Sequence, residues 1–263
     1  MNTLTFTAPS GQTYTIREQN GQDEEILTNV ADVKNIMNLT KFIQALIVGT
    51  SRKPNGRGLT VEEVLALPIL DRYCIIFNAR IFSLGNIMEF TYNWTMSDGS
   101  VDKLEFEQDL NEFLLPYDRI LAKDITEEEL NDICDSKPHA IPMYPMPGQE
   151  KGIELTLESG KRIKFDLLDG NGERYAVKLT DEKTTRNAEF LARNLYLEVD
   201  GRWDRVQNFS LFTRKEMAEM RKHVRAIDPV FQSLTDLTHP TTGETIQYPL
   251  IGNSAFFFPE DME

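Results

Sequence analysis

Residues 59–106 read LTVEEVLALPILDRYCIIFNARIFSLGNIMEFTYNWTMSDGSVDKLEF, and the period of the apolar positions changes once within this stretch. Thr60-Val61-Glu62-Glu63 is a capping-box pattern, in which a hydroxyl and a carboxylate satisfy free backbone N–H groups reciprocally at the start of a helix. Pro68 interrupts the helix, since it has no N–H to donate. The helical spacing resumes with Leu70, Cys74, Ile75, Phe77, Ile81 and Phe82 and stops near Gly85. Residues 87–94 and 101–106 then read as strands joined through Ser97-Asp98-Gly99, because glycine accepts the positive φ of a tight turn. A helix followed by a hairpin predicts an α+β fold built on antiparallel pairing.

The same reading extends outward in both directions. Residues 3–8 and 13–17 alternate polar and apolar about Ser10-Gly11 and predict a hairpin, while Gln19 to Glu25 reads as a polar loop. Ile36, Leu39, Phe42, Ile43, Leu46 and Ile47 share one helical face. Helices are therefore expected at 33–48, 60–83, 126–134, 185–197 and 213–227, with hairpins near 88–106 and 153–168. Two further capping boxes, Thr126–Glu129 and Thr213–Glu216, open the helices at 126 and 213. Lys137 to Gly148 carries four prolines and is expected to run as an extended surface connector. It divides the chain into an N-terminal α+β region (1–136), a linker (137–148) and a C-terminal α+β region (149–263).

Composition narrows the function. Of 263 residues, 42 are acidic and 28 are Lys or Arg, a net charge of −14. Nucleic-acid binding draws its affinity from Lys and Arg on phosphates, so no nucleic-acid partner is expected. The acidic excess reads first as a solubilising surface; the sharper alternative is docking onto a basic partner, for which Glu127-Glu128-Glu129 and the tail Glu260-Asp261-Met262-Glu263 are the most acidic local patches. No apolar run is long enough to span a bilayer, and the first six residues lack the basic and apolar regions of a signal peptide, so a soluble intracellular protein without a membrane partner is expected. Cys74 and Cys134 form no disulfide framework and suit a reducing compartment.

A search for reactive constellations finds none that stands above the background. There is no Gly-x-Ser-x-Gly elbow, and Cys74 lies within an apolar helical run. His139 and His239 each adjoin a proline, and His223 sits in the basic turn Arg221-Lys222-His223. Asp166 to Glu173 superficially resembles a calcium loop but lacks its regular oxygen ligands and terminal Glu, so it reads as a solvated turn. Gly160-Lys161 lacks the context of a phosphate-binding loop. Neither a catalytic residue, a cofactor site nor a metal site is expected. The segment Asn253-Ser254-Ala255-Phe256-Phe257-Phe258-Pro259 stands out instead. Read as a strand, it turns Phe256 and Phe258 to one face and Phe257 to the other. Phe256, Phe257, Phe258 and Pro259 are the candidate partner-binding residues, with one ring face in the core and the other on a neighbour.

Taken in order, several segments resemble the baseplate-hub and tail-assembly proteins of contractile-tailed, T-even-like bacteriophages. They are Leu59–Glu63 with Leu70-Asp71-Arg72-Tyr73 and Arg80–Gly85; the hairpin Phe90–Phe106 leading into Asp109-Leu110; Ile153–Phe165; and His239-Pro240-Thr241-Thr242-Gly243-Glu244 followed by Phe256-Phe257-Phe258-Pro259. The resemblance covers roughly Leu27 to the end. In that family the hairpin and the segment before the final Phe-Pro often carry zinc-knuckle cysteines. Here His239 and Thr242 stand at one knuckle and Asn93-Trp94-Thr95-Met96 at the other, so the resemblance implies degenerate, zinc-knuckle-like hairpins without metal. It further implies a structural component of the virion tail baseplate, present in many copies, contacting other baseplate or tail proteins and found in the host cytoplasm during assembly. A tail-assembly chaperone absent from the mature particle is the alternative, and a cellular enzyme with an unfamiliar site is a third reading.

Overall fold

The computed structural model describes residues 2–53, 58–96, 98–182 and 187–259, and for 179–182 the backbone only. The expected acidic tail patch at 260–263, Ser97 of the hairpin turn and the first residues of the helix expected at 185–197 lie outside these residues.

Strands β1 (Thr3–Thr7) and β2 (Thr13–Arg17) form the expected N-terminal hairpin, and β3 (Ile47–Thr50) pairs on the other side of β2. Between them lie α1 (Gly21–Thr28), α2 (Val30–Lys34) and α3 (Asn38–Leu46). The polar segment expected to be a loop is thus helical from Gly21. Asn20 accepts from Gln22 N while Asp23 accepts from Asn20 N, so the two side chains close the helix start. The single helix expected over 33–48 is broken at Ile36, whose φ is 56°, and its last residues leave the helix to give β2 a second partner. Backbone pairing along a strand edge outweighs a helical apolar period of two residues.

Helices α4 (Val61–Leu65) and α5 (Ile69–Leu84) flank Pro68, and the Thr60 capping box forms as read, with Thr60 Oγ1 accepting from Glu63 N and Glu63 accepting from Thr60 N. Strands β4 (Ile87–Thr95) and β5 (Val101–Asp109) make a nine-residue antiparallel ladder, with Gly99 at φ 85° in the connection. Short helices α6 (Tyr117–Ala122) and α7 (Glu127–Ser136) follow.

Past residue 150, β6 (Ile153–Thr156) and β7 (Arg162–Phe165) form the expected hairpin. Next come α8 (Gly170–Glu182), α9 (Ala188–Ala192), β8 (Tyr196–Val199) and β9 (Arg202–Arg205), the strands completing a four-stranded antiparallel sheet β6-β7-β8-β9. Two expectations fail here. Asp169-Gly170-Asn171-Gly172 is the start of α8 and not a free turn: Asp169 Oδ1 accepts from Gly172 N at 2.8 Å, as an N-cap does. The helix expected to reach 197 ends at Ala192, and residues 196–199 add to the sheet. Gly172 has a packing reason, since a Cβ there would collide with the Ala192 carbonyl and the Leu168 side chain. Helix α10 (Arg214–Ile227) opens with its capping box as read; β10 (Leu234–Thr238) and β11 (Thr245–Pro249) form a last hairpin, and α11 (Ser254–Phe257) is a single turn. The fold is mixed helix and sheet with antiparallel sheets, as the sequence predicted.

The proline-rich segment is not helical, but it turns at each end, with Ala140 N donating to Lys137 O and Gln149 N to Met146 O, and it is anchored in the interior at its middle, so it is not a surface linker. Ile141 and Tyr144 are fully buried, Ile141 N donates to Phe113 O at 2.9 Å, and Tyr117 OH donates to Ile141 O at 2.7 Å. Leu70 N donates to Tyr144 OH at 3.2 Å and Gly148 N to Ser10 O at 2.9 Å. Phe77, from the N-terminal side, packs edge-on against Phe231 and Phe256 from the C-terminal side. Both sides therefore contribute to one hydrophobic cluster, and residues 137–148 are a strap across it. Apolar Ile, Met and Tyr between the prolines supply the burial that proline content alone did not suggest.

Candidate interaction surface

Three regions bear on function: the paired hairpins, the C-terminal phenylalanines, and a cleft against the proline-rich strap.

The β4–β5 and β10–β11 hairpins lie against each other through aromatic rings. Phe90 stacks on Tyr248 with centroids 5.2 Å apart and planes 5° from parallel, and Tyr92 meets Tyr248 edge-on at 5.4 Å. Farther along the ribbon, Trp94 meets the His239 ring edge-on at 5.2 Å and donates from Nε1 to Glu244 at 3.3 Å. Thr235 Oγ1 donates to Gln108 Oε1 across the same contact. The alternation of β4 explains this face: Met88, Phe90 and Trp94 point inward, whereas Glu89, Asn93 and Thr95 are exposed.

The turn after β10 converges on His239, which is 2% exposed. Thr241 N and Thr242 N both donate to its Nδ1, at 3.2 and 3.1 Å, and its Nε2 lies 3.3 Å from an Asp102 carboxylate oxygen. Two donors on Nδ1 assign the ring proton to Nε2, which donates to Asp102. Two backbone N–H groups, two and three residues on, thus converge on one nitrogen of the imidazole. The donor set does not fit zinc: Nδ1 is spent on backbone N–H groups, Thr242 offers only a hydroxyl that accepts from Glu244 N, and residues 93–96 contain no thiol or imidazole. Among the described residues no three His, Cys, Asp or Glu side chains are grouped to hold a metal ion.

The C-terminal segment departs from the strand reading. Asn253 accepts from Ala255 N at 3.0 Å and donates to Tyr248 OH at 3.1 Å, opening one helical turn. Successive rings therefore turn by about 100° and not 180°. Phe256 is fully buried against Phe77 at 5.3 Å. Phe257, expected to point away from the core, packs edge-on against Phe42 at 5.7 Å and stays half-buried. Phe258 and Pro259 are also half-buried, so the ring surface left for a neighbour belongs to Phe257, Phe258 and Pro259. The third region is a cleft of about 570 Å³ between the strap and the segment after α10, walled by Pro138, Pro142, Pro229, Val230 and Phe231. Val230 is 69% exposed, and His139, 3.1 Å from Asp236, sits at its rim.

Charged residues buried in the interior had no place in the sequence reading. Asp71 is fully buried and accepts from Ser10 N at 3.0 Å, Ser10 Oγ at 2.6 Å and Tyr14 OH at 2.8 Å, with Arg52 at 3.6 Å. Arg52 also donates to Tyr14 OH and pairs with Glu150. Desolvation dominates at Asp71 and pushes its carboxyl up to about 6, against the lowering effect of these donors. Arg80, 1% exposed, donates to Gly85 O at 2.7 Å and Ile87 O at 3.4 Å, tying the end of α5 to the start of β4. The signal was available: Asp71 and Arg80 are charged positions within an otherwise apolar helical run. Asp71 and Arg80 are enclosed, Arg52 and Glu150 are partly exposed, and together they tie elements to one another.

Among the described residues no helix is long and apolar enough to cross a membrane. Compared with family models, with curated proteins and with solved structures, the chain finds no match in any of the three.

Proposed function

We propose that the chain is a structural component of a phage contractile-tail baseplate, acting through protein–protein contacts during tail assembly. The supporting observation is the pairing of the two hairpins that carry the family resemblance. Trp94 and Glu244 are 150 positions apart in sequence, yet the stretches Asn93–Met96 and His239–Thr242 meet through Trp94 and His239. In this reading the hairpins are degenerate zinc knuckles, whose turn geometry persists because an imidazole accepts the two N–H groups and aromatic packing replaces the metal. The half-buried Phe257, Phe258 and Pro259 supply an anchor for neighbouring baseplate or tail proteins, since partly exposed aromatics at a rigid site are typical of interface centres. No catalytic role is assigned.

The test is mass spectrometry of tail particles purified from infected cells. The chain is expected as a stoichiometric component. Its presence in assembly intermediates but not in finished particles would replace this reading with that of an assembly chaperone. Its absence from both would overturn it.

A further inference from the structure

Two helices of this acidic chain carry opposite charge on their outer faces. Along α10, the side chains of Arg214, Lys215, Ala218, Lys222, Arg225 and Ala226 are exposed, while Met217, Met220 and Val224 are buried on the opposite side. At about 100° per residue these exposed positions fall within one arc of roughly a third of the helix, and no acidic residue lies in it. Arg221 borders the arc but is engaged by Glu189 and Asn187, and Lys215 pairs with Glu158. Lys222 also lies in the field of Glu158 and helps hold that carboxyl below its ordinary value, while no ion pair among the described residues involves Arg214 or Arg225. In a chain of net charge −14, a cationic arc around two alanines, with Arg214 and Arg225 outside any ion pair among the described residues, makes an unusual surface. The alanines leave room for close approach of a second backbone.

The complement is α7. This ten-residue helix has no buried residue. Leu130 and Ile133 are half-buried on its inner side, and Arg119 holds Glu129 at 2.9 Å. The outer arc carries Glu127, Glu128, Asp132 and Asp135, all exposed, with no cation among them. The two faces are also matched in length, roughly 15 Å for α7 and roughly 21 Å for α10 at 1.5 Å per residue.

We propose that the outer face of α10 docks the outer face of α7 of a second copy of the chain. The second copy is the occupant that this charge complementarity selects, and the outer face of α7 is fully exposed to it. Because the two faces differ, two copies either make both α10–α7 contacts about a two-fold axis, or make one and leave one α7 and one α10 free, so that copies add in series until a ring closes or a filament grows. One helix face on another buries less than the roughly 1,200 Å² of a stable complex, so the contact is weak alone and gains strength where copies are held together. Exposed charge pairs are screened by salt, which makes association steeply salt-dependent. The inference does not depend on the baseplate reading.

Sedimentation equilibrium of the full chain at low and high salt tests this. Self-association is expected at about 10 mM salt and its loss at about 0.5 M. Two charge-reversed chains provide the decisive arm, one with Arg214→Glu, Lys222→Glu and Arg225→Glu, the other with Glu127→Lys, Glu128→Lys, Asp132→Lys and Asp135→Lys. Each alone should associate at least ~10-fold more weakly than the parent at low salt. Mixed, they should associate again, since each supplies the intact face the other lacks. All positions are solvent-facing, and unchanged circular dichroism and unfolding midpoints confirm that the variants fold. A parent chain monomeric at low salt would overturn the proposal, as would association indifferent to both reversals or a mixture that stays monomeric. Binding of single-stranded DNA through Arg214, Lys222 and Arg225 by a chain that does not self-associate would likewise overturn it.

Discussion

Replacing Asp71 by Asn isolates the cost of one buried charge. The carboxyl has an ordinary value of 3.8 and stands at about 6 in the fold, because complete burial outweighs the donors from Ser10 and Tyr14 and the charge of Arg52. The folded state thus holds this proton more tightly than the unfolded chain. The group's favourable contribution is fully present below 3.8 and is lost as pH rises through 6. The whole difference corresponds to about 3 kcal/mol at 1.36 kcal/mol per pH unit, and integrating between pH 7.5 and 4.5 gives about 2 kcal/mol. Asn cannot titrate, so the stability of the parent minus that of Asp71→Asn should rise by about 2 kcal/mol as pH falls from 7.5 to 4.5. Urea unfolding of both chains at several pH values measures it, with the linear extrapolation giving each free energy. A difference that stays flat over this range would show that burial does not dominate at Asp71. A difference that shrinks on acidification would show that the donors and Arg52 hold the carboxyl below 3.8, refuting the reasoning outright.

Other variants probe the packing described above. Phe256→Ala should lose about 3–5 kcal/mol in urea unfolding, and Phe258→Ala less than half of that, because only the first ring is fully enclosed. Phe257→Ala should fall between them and reduce incorporation into tail particles more than its stability loss explains, an excess that would be missing if Phe257 served only Phe42. Ile141→Ala should cost about 2–5 kcal/mol, a value a bare surface linker would not give. Gly172→Ala should destabilise by about 1–3 kcal/mol, since the added methyl meets the Ala192 carbonyl; an unchanged midpoint would mean that α8 and α9 part easily.

Local chemistry by itself determined much of this fold. The capping boxes at Thr60 and Thr213 and the Asp-Gly connection between β4 and β5 depend on residues within a few positions of each other, and each forms where it was read. The α+β class and the antiparallel hairpins follow from the same short-range rules. Tertiary structure decided the rest wherever a segment's partner is remote in sequence. Ile47–Thr50 continues a helical pattern but becomes a strand because β2 offers unpaired backbone groups. Asp169–Gly172 has the composition of a free turn but starts a helix, held where Pro68 bridges Asp169 and Gly172 meets Ala192. The strap at 137–148 has the composition of a linker, yet its Ile141 and Tyr144 are buried, because Phe113 O and Leu70 N, remote in sequence, hold them by hydrogen bonds. The candidate surface divides the same way. The sequence singled out the Phe-Phe-Phe-Pro segment and the two hairpins. Which ring is buried, and that Trp94 lies on His239, depended on the three-dimensional fold, since side-chain burial is set by neighbours that no local pattern encodes.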